Sequence, residues 1–163
     1  VSETIPRRVL ETRVASEWVD YNGHMNDAAY ARVFSLAVDA LMEWLGLGEE
    51  GRRRHAYTLY TLETHLCYRR EAHEGQPLQV GVVRLDADAK RLHAFFTLED
   101  DQGHCLATSE QMLMGMATDR GRPAPFPPEV AERLAALPGC AADDWPELAG
   151  RRIGIVRRDD ATS

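Results

Sequence analysis

The sequence predicts an α+β domain in which one long central helix is wrapped by a curved antiparallel sheet of about five strands. Three observations lead there. An apolar stripe at helical spacing begins just past residue 26, with Tyr30, Val33, Phe34, Ala37, Leu41, Trp44 and Leu45 on one face. From residue 56 to residue 118 the pattern turns to period two and stays there. Two short polar turns, Asp86–Ala89 and Asp100–Gly103, join the later strands directly, so the sheet is a meander and antiparallel.

The elements follow in order. Alternation around Val9, Glu11, Arg13 and Val14 predicts a strand over 8–17. "YNGH" is turn chemistry, and Asn26 or Asp27 can cap the helix that follows, which Gly46 and Gly48 end. Glu49 to Arg54 reads as a polar, arginine-rich loop. "AYTLYTLETHLCYRRE" sets Leu62, Thr64, Leu66 and Tyr68 against Glu63, His65 and Cys67, and further strands are expected over 78–86, 90–99 and 104–118. A proline-rich stretch, Pro123 to Pro128, leads into a short helix over 128–137, and residues 139–163 lack clear periodicity. The chain thus divides into a main unit, 1–127, and a short helix and tail, 128–163, packed on or trailing the same domain. A long sheet edge, and an outer face carrying Phe95, Val83 and Leu113, predict a homodimer or homotetramer.

Composition removes several classes. With 163 residues, 44% hydrophobic and 28% charged, the chain can bury a core without metal or disulfide help. A formal charge of −7 disfavours nucleic acid or an anionic membrane as partner. Cys67, Cys105 and Cys140 form no disulfide framework or zinc pattern, which fits a reducing compartment. The N-terminal stretch lacks a signal-peptide layout, and no apolar run approaches ~20 residues, so the expected location is the cytoplasm. No G-x-S-x-G surrounds Ser16, Ser35 or Ser109, and there is no HExxH, CxxC or glycine-rich phosphate loop. His24, His55, His65, His73, His93 and His104 lack metal-site spacing, so neither metal nor cofactor is expected.

What remains is "WVDYNGHMND", residues 18–27, directly before the helix. A helix start leaves backbone N–H groups unpaired at the positive end of its dipole, and donors aimed at a carbonyl make an oxyanion hole. Gly23 lets a substrate approach the backbone, and Asp20, at the same mouth, can serve as general base or nucleophile. The same letters also describe an ordinary turn, with Asp20 bonded to its own backbone and Asn26 only a cap.

The string D-Y-N-G-H-M-N-D-A-A-Y before a long amphipathic helix, followed by four strands, resembles the hotdog-fold acyl-CoA thioesterases related to 4-hydroxybenzoyl-CoA thioesterase. The likeness runs over residues 8–127 and includes "YRREAHEGQPL" and "GRPAPFP". It implies that Asp20 is the catalytic carboxylate, that Gly23, His24 and Met25 polarise the thioester carbonyl through their backbone, and that Asn26 orients the turn. In such dimers the pocket lies between subunits. "WVDYNGHM", "LETHLCYRRE", "KRLHAFF" and "LATSEQMLM" more narrowly resemble the thioesterase module linked to carnitine catabolism, which acts on betainyl-CoA and in some bacteria is fused to L-carnitine dehydrogenase. A quaternary ammonium substrate wants an aromatic cage and a carboxylate, for which Trp18, Tyr21, Tyr30, Tyr60 and Glu63 are available. Arg69, Arg70, Lys90 and Arg91 at strand ends, with Arg120 and Arg122 after the last strand, are the candidates for the phosphates of CoA. Solvated strand ends explain the same cations. The alternatives to hydrolysis are a non-catalytic acyl-CoA-binding module and a dehydratase using His24 with Asp20.

Overall fold

The computed structural model describes residues 4–158. Strand β1 (Arg7–Arg13) leads through a 3-10 turn (Ser16–Trp18) to helix α1 (Asp27–Trp44) and helix α2 (Glu49–His55). Then come β2 (Tyr57–Tyr68), β3 (Pro77–Ala87), β4 (Arg91–Asp100), β5 (Cys105–Ala117), a short β6 (Arg122–Pro123) and α3 (Pro128–Ala135). The sheet order is β1-β3-β4-β5-β2, with β6 beside β5 and every pair antiparallel. This is the expected α+β architecture.

Helix α1 forms where the stripe and the cap agree. The Asn26 Oδ1 accepts the Ala29 N–H at 2.9 Å, satisfying one orphan donor of the first turn. Its buried face, including Val33, Phe34, Ala37 and Leu41, meets the inner face of the sheet, where Phe34 packs edge-on to Phe96 at 6.5 Å. Leu92, Leu98, Leu106 and Leu113 are fully enclosed in the same core. Burying such side chains contributes about 1.5–3 kcal/mol each, and this holds the sheet around the helix.

Four expectations need correction. The first strand stops at Arg13, because the backbone turns into the 3-10 segment at Ser16. Residues 49–54 are helical: Glu49 and Glu50 occupy the first turn of α2, Arg52 to His55 the last, both favourable to the helix dipole. In β2 the pairing with β5 slips between Thr61 and Glu63, so Leu62 is the extra residue of a bulge and is 52% exposed. It does not share the face of Thr64, Leu66 and Tyr68. The outer sheet face is not open either. Val83, Leu85 and Phe95 are covered by Cys140, Trp145, Leu148 and Ala149 of the same chain, while Leu113 belongs to the inner core.

This C-terminal strap is fastened by the Gly150 N–H, which donates to Glu110 at 2.7 Å, and by Trp145, edge-on to His93 at 5.2 Å. Among the described residues no helix is long and apolar enough to cross a membrane. The two sheet edges differ in kind. Strand β1 is short and carries Arg7, Arg8, Glu11 and Arg13, which guard it against further pairing. Strand β2 is long, and its exposed residues include Tyr60, Leu62 and Tyr68.

Candidate active site

The segment between β1 and α1 folds into a tight turn whose hydrogen bonds can be followed donor by donor. The Asp20 N–H donates to the His24 carbonyl at 2.9 Å and the Gly23 N–H to the Asp20 carbonyl at 3.0 Å. The Asp20 Oδ1 accepts from the Asn22 N–H at 2.8 Å and the His24 N–H at 3.2 Å. Gly23 sits at φ +77°, a left-handed conformation that L side chains rarely adopt. Asp20 builds the turn with Oδ1, and no described residue engages Oδ2.

The chain supplies its own comparison. Residues 100–104, D-D-Q-G-H, repeat the D-x-x-G-H pattern of residues 20–24. They form the β4–β5 turn with the same bonds: Asp100 Oδ1 accepts from the Gln102 and His104 N–H groups, both at 2.9 Å, and Gly103 sits at φ +80°. The spacing is thus turn chemistry wherever it occurs. The surroundings separate the two. Asp100 is 6% exposed, and its second oxygen is held by His104 Nδ1 at 3.0 Å. Asp20 is exposed, and the His24 ring stands beside Glu71, with Nε2 3.5 Å from its carboxylate, and His73. Among the described residues no hydrogen bond joins the His24 ring to Asp20.

Burial raises the Asp100 carboxyl, but the hydrogen bonds from His104 and Gln102 outweigh it, and the group lies below its ordinary value of 3.8. Its folded-state value is depressed, so its stabilisation is fully present above the unfolded value and lost as pH falls through the folded one. Urea midpoints measured down through this acid window are expected to fall less steeply for Asp100→Ala than for the wild type. Equal slopes would remove Asp100 from the acid sensitivity.

The expected carbonyl donors are already engaged. The Gly23 and His24 N–H groups serve the turn, and the Met25 N–H donates to the Ala72 carbonyl at 2.8 Å. The Asn26 N–H and Nδ2 both donate to the Trp18 carbonyl, at 2.9 and 3.0 Å. This corrects the reading of residues 23–25 as free donors. The N–H groups of Asp27 and Ala28, in the first turn of α1, find no acceptor among the described residues. Sequence alone missed them, because the competing acceptors, Ala72 and Trp18, are brought in by the fold.

Around this mouth stand two aromatic rings. Tyr30 is buried, with its hydroxyl donating to the Arg70 carbonyl at 2.8 Å. Tyr68, 49% exposed, stands edge-on to it at 5.2 Å and donates to the Asp27 carbonyl at 3.3 Å. Burial pushes both phenols up; the Glu71 charge adds to this at Tyr30 and the Asp27 charge at Tyr68.

The proposed cage does not assemble within one chain. Trp18 flanks the turn, half-buried, and Tyr21 is 97% exposed at its tip. Tyr60, opposite Met114, lies seven ladder positions along β5 from the partner of Tyr68, Ala107, which at ~3.3 Å per residue is about 23 Å away. Glu63 lies opposite Met112, beside His65 and His93 on the side of the sheet away from α1. The cations also split. Arg69 and Arg70 continue β2 past Tyr68, their N–H groups on the Leu106 carbonyl, beside the site. Lys90 and Arg91 lie at the other end of the sheet near Arg120 and Arg122, about 23 Å along β5, with Arg91 Nε bonded to Asp88 at 2.7 Å. They do not form one patch within a single chain.

Residues 14–134 match the family model described as the thioesterase-like superfamily. The chain belongs to this superfamily of thioester hydrolases and has its hotdog fold. Among its relatives, a betainyl-CoA thioesterase of Pseudomonas aeruginosa is 46% identical over 147 residues, covering 89% of this chain and 92% of that protein. An L-carnitine dehydrogenase/betainyl-CoA thioesterase of Rhizobium meliloti is 38% identical over 158 residues; the match covers 93% of this chain and 31% of that longer protein. A hypothetical protein of Staphylococcus aureus solved in complex with CoA superposes with a TM-score of 0.83 at 34% identity, covering 96% of this chain and all of that one.

Proposed function

We propose that the chain hydrolyses a small acyl-CoA thioester, betainyl-CoA in first place, to the free acid and CoA. The observation that carries this reading is a carboxylate with one oxygen that no described residue engages, on a glycine turn that opens into a helix whose first two N–H groups find no acceptor among the described residues. The 46% identical betainyl-CoA thioesterase supports the acyl group, and the CoA-bound relative supports the carrier.

In this mechanism the Asp27 and Ala28 N–H groups receive the thioester carbonyl oxygen. Asp20 takes a proton from water as the water oxygen bonds to the carbonyl carbon. The tetrahedral oxyanion is held at the positive end of α1, where each such donor contributes about 10²–10³ in rate. Collapse breaks the C–S bond, and the proton that Asp20 took from water passes to the CoA thiolate, restoring the carboxylate. Direct attack by Asp20, giving a mixed anhydride that water then opens, uses the same oxygen. No metal or cofactor takes part.

The site is completed by a second copy. Pairing of β2 with β2 of another subunit, antiparallel, reverses the strand. Tyr60 of the partner subunit then lies toward the Tyr68 end, and the partner's Lys90 and Arg91 toward Arg69 and Arg70. The residues that are scattered in one chain converge in two, and the location is the cytoplasm, where CoA is the product.

Free-thiol release from a panel of acetyl-, betainyl-, benzoyl-, 4-hydroxybenzoyl- and medium-chain acyl-CoA tests the reading. The expected result is turnover with the highest kcat/KM for betainyl-CoA. Binding of these thioesters without thiol release would replace the enzyme by a binding module.

A further inference from the structure

We propose that Tyr68 and the Asp27 carboxylate form the wall that selects a quaternary ammonium acyl group, an inference that rests on the betainyl-CoA reading of the site. Distance decides which aromatic can serve. In a betainyl thioester one methylene separates the carbonyl carbon from the ammonium nitrogen, so the two atoms lie about 2.5 Å apart. The cation must therefore sit beside the first turn of α1, where the carbonyl oxygen is held.

Among the described tyrosines one ring meets that requirement with surface to spare. Tyr21 stands 97% exposed in solvent, Tyr30 is buried with its hydroxyl committed to Arg70, and Tyr60 lies at the far end of β2. Tyr68 reaches the Asp27 carbonyl at 3.3 Å, is steadied by the edge of Tyr30, and keeps about half its surface open. A ring so placed attracts a desolvated cation through its quadrupole.

The charge at the mouth points the same way. Asp27 is exposed and has no cationic partner among the described residues, whereas the neighbouring Glu71 faces His24 at 3.5 Å. Its charge is close enough to help push the Tyr68 phenol up. A purely local role for Asp27, complementing the helix dipole, explains its place in the first turn but is blind to the acyl group. Substrate preference therefore separates the two roles.

The test compares betainyl-CoA with 3,3-dimethylbutyryl-CoA, which has the same shape with carbon in place of the charged nitrogen. The wild type is expected to favour betainyl-CoA in kcat/KM. Tyr68→Leu is expected to lower that preference about tenfold, while Tyr68→Phe, which keeps the ring, holds it within about twofold. Asp27→Asn is expected to lower it as well, with a larger loss at low than at high ionic strength. A wild type that favours betainyl-CoA, with the preference intact in both Tyr68→Leu and Asp27→Asn, would overturn this inference and leave the thioesterase reading standing. A wild type that favours the neutral analogue, or releases thiol from neither, would overturn both.

Discussion

Asp20→Ala is expected to reduce free-thiol release by more than about 10²-fold, because in the proposed mechanism it removes the group that activates water or attacks the carbonyl. The informative comparison is Asp100→Ala. Both carboxylates accept two backbone N–H groups in turns of the same letters, so both variants lose the same kind of local bonding. Asp100 is buried and doubly held, and its loss is expected to cost about 1.5–3 kcal/mol of stability while thiol release per folded molecule persists. Asp20 is exposed, so its loss is expected to move the unfolding midpoint less and the rate far more. Thermal melts and thiol assays on the two variants, run side by side, separate a catalytic carboxylate from a turn former. If both lose stability alike and neither loses turnover, Asp20 is a turn residue and the chemistry lies elsewhere.

Leu62→Lys is expected to convert the assembly to monomers and to take thiol release down with it, by about 10²-fold or more if the partner's residues complete the pocket. Leu62 is the bulged residue of β2, half-exposed on the long uncovered edge, and in the proposed β2–β2 pairing a lysine there puts like charges from both copies into the interface. Sedimentation and activity measured over the same concentration range check this. A monomer that keeps full turnover would place the whole site within one chain. An unchanged dimer would place the interface away from β2.

Much of this molecule is legible in the order of its residues, for reasons that lie close along the chain. Helix α1 declares itself because the stripe from Tyr30 to Leu41 and the Asn26 cap are local and agree. The β4–β5 turn does so because Gly103 takes the left-handed angle required, and the β3–β4 turn because the Asp88 side chain accepts the Lys90 and Arg91 N–H groups. Helix α2 was hidden because its run of arginines offers no apolar face to read. The covered outer face was hidden because the strap over it is aperiodic, and Trp145 meets His93 only through the fold. At the site, the type of turn and the cap could be read, but not which N–H groups remained over. That depends on Ala72 and Trp18 carbonyls arriving from outside the turn. The alternation sets Tyr68 on one face of β2 with Thr64 and Leu66, yet its position against Asp27 becomes visible only once strand and helix meet.

The strap over the outer face also bears on how copies of this chain can meet. With Val83, Leu85 and Phe95 covered by the chain's own residues and β1 carrying charge, β2 is the long uncovered sheet edge among the described residues. In the proposed β2–β2 pairing each copy consumes the other's edge about a two-fold axis, and a sheet closed in this way is not extended further along that direction. The tail that looks featureless as sequence then serves as a stopper on the outer face.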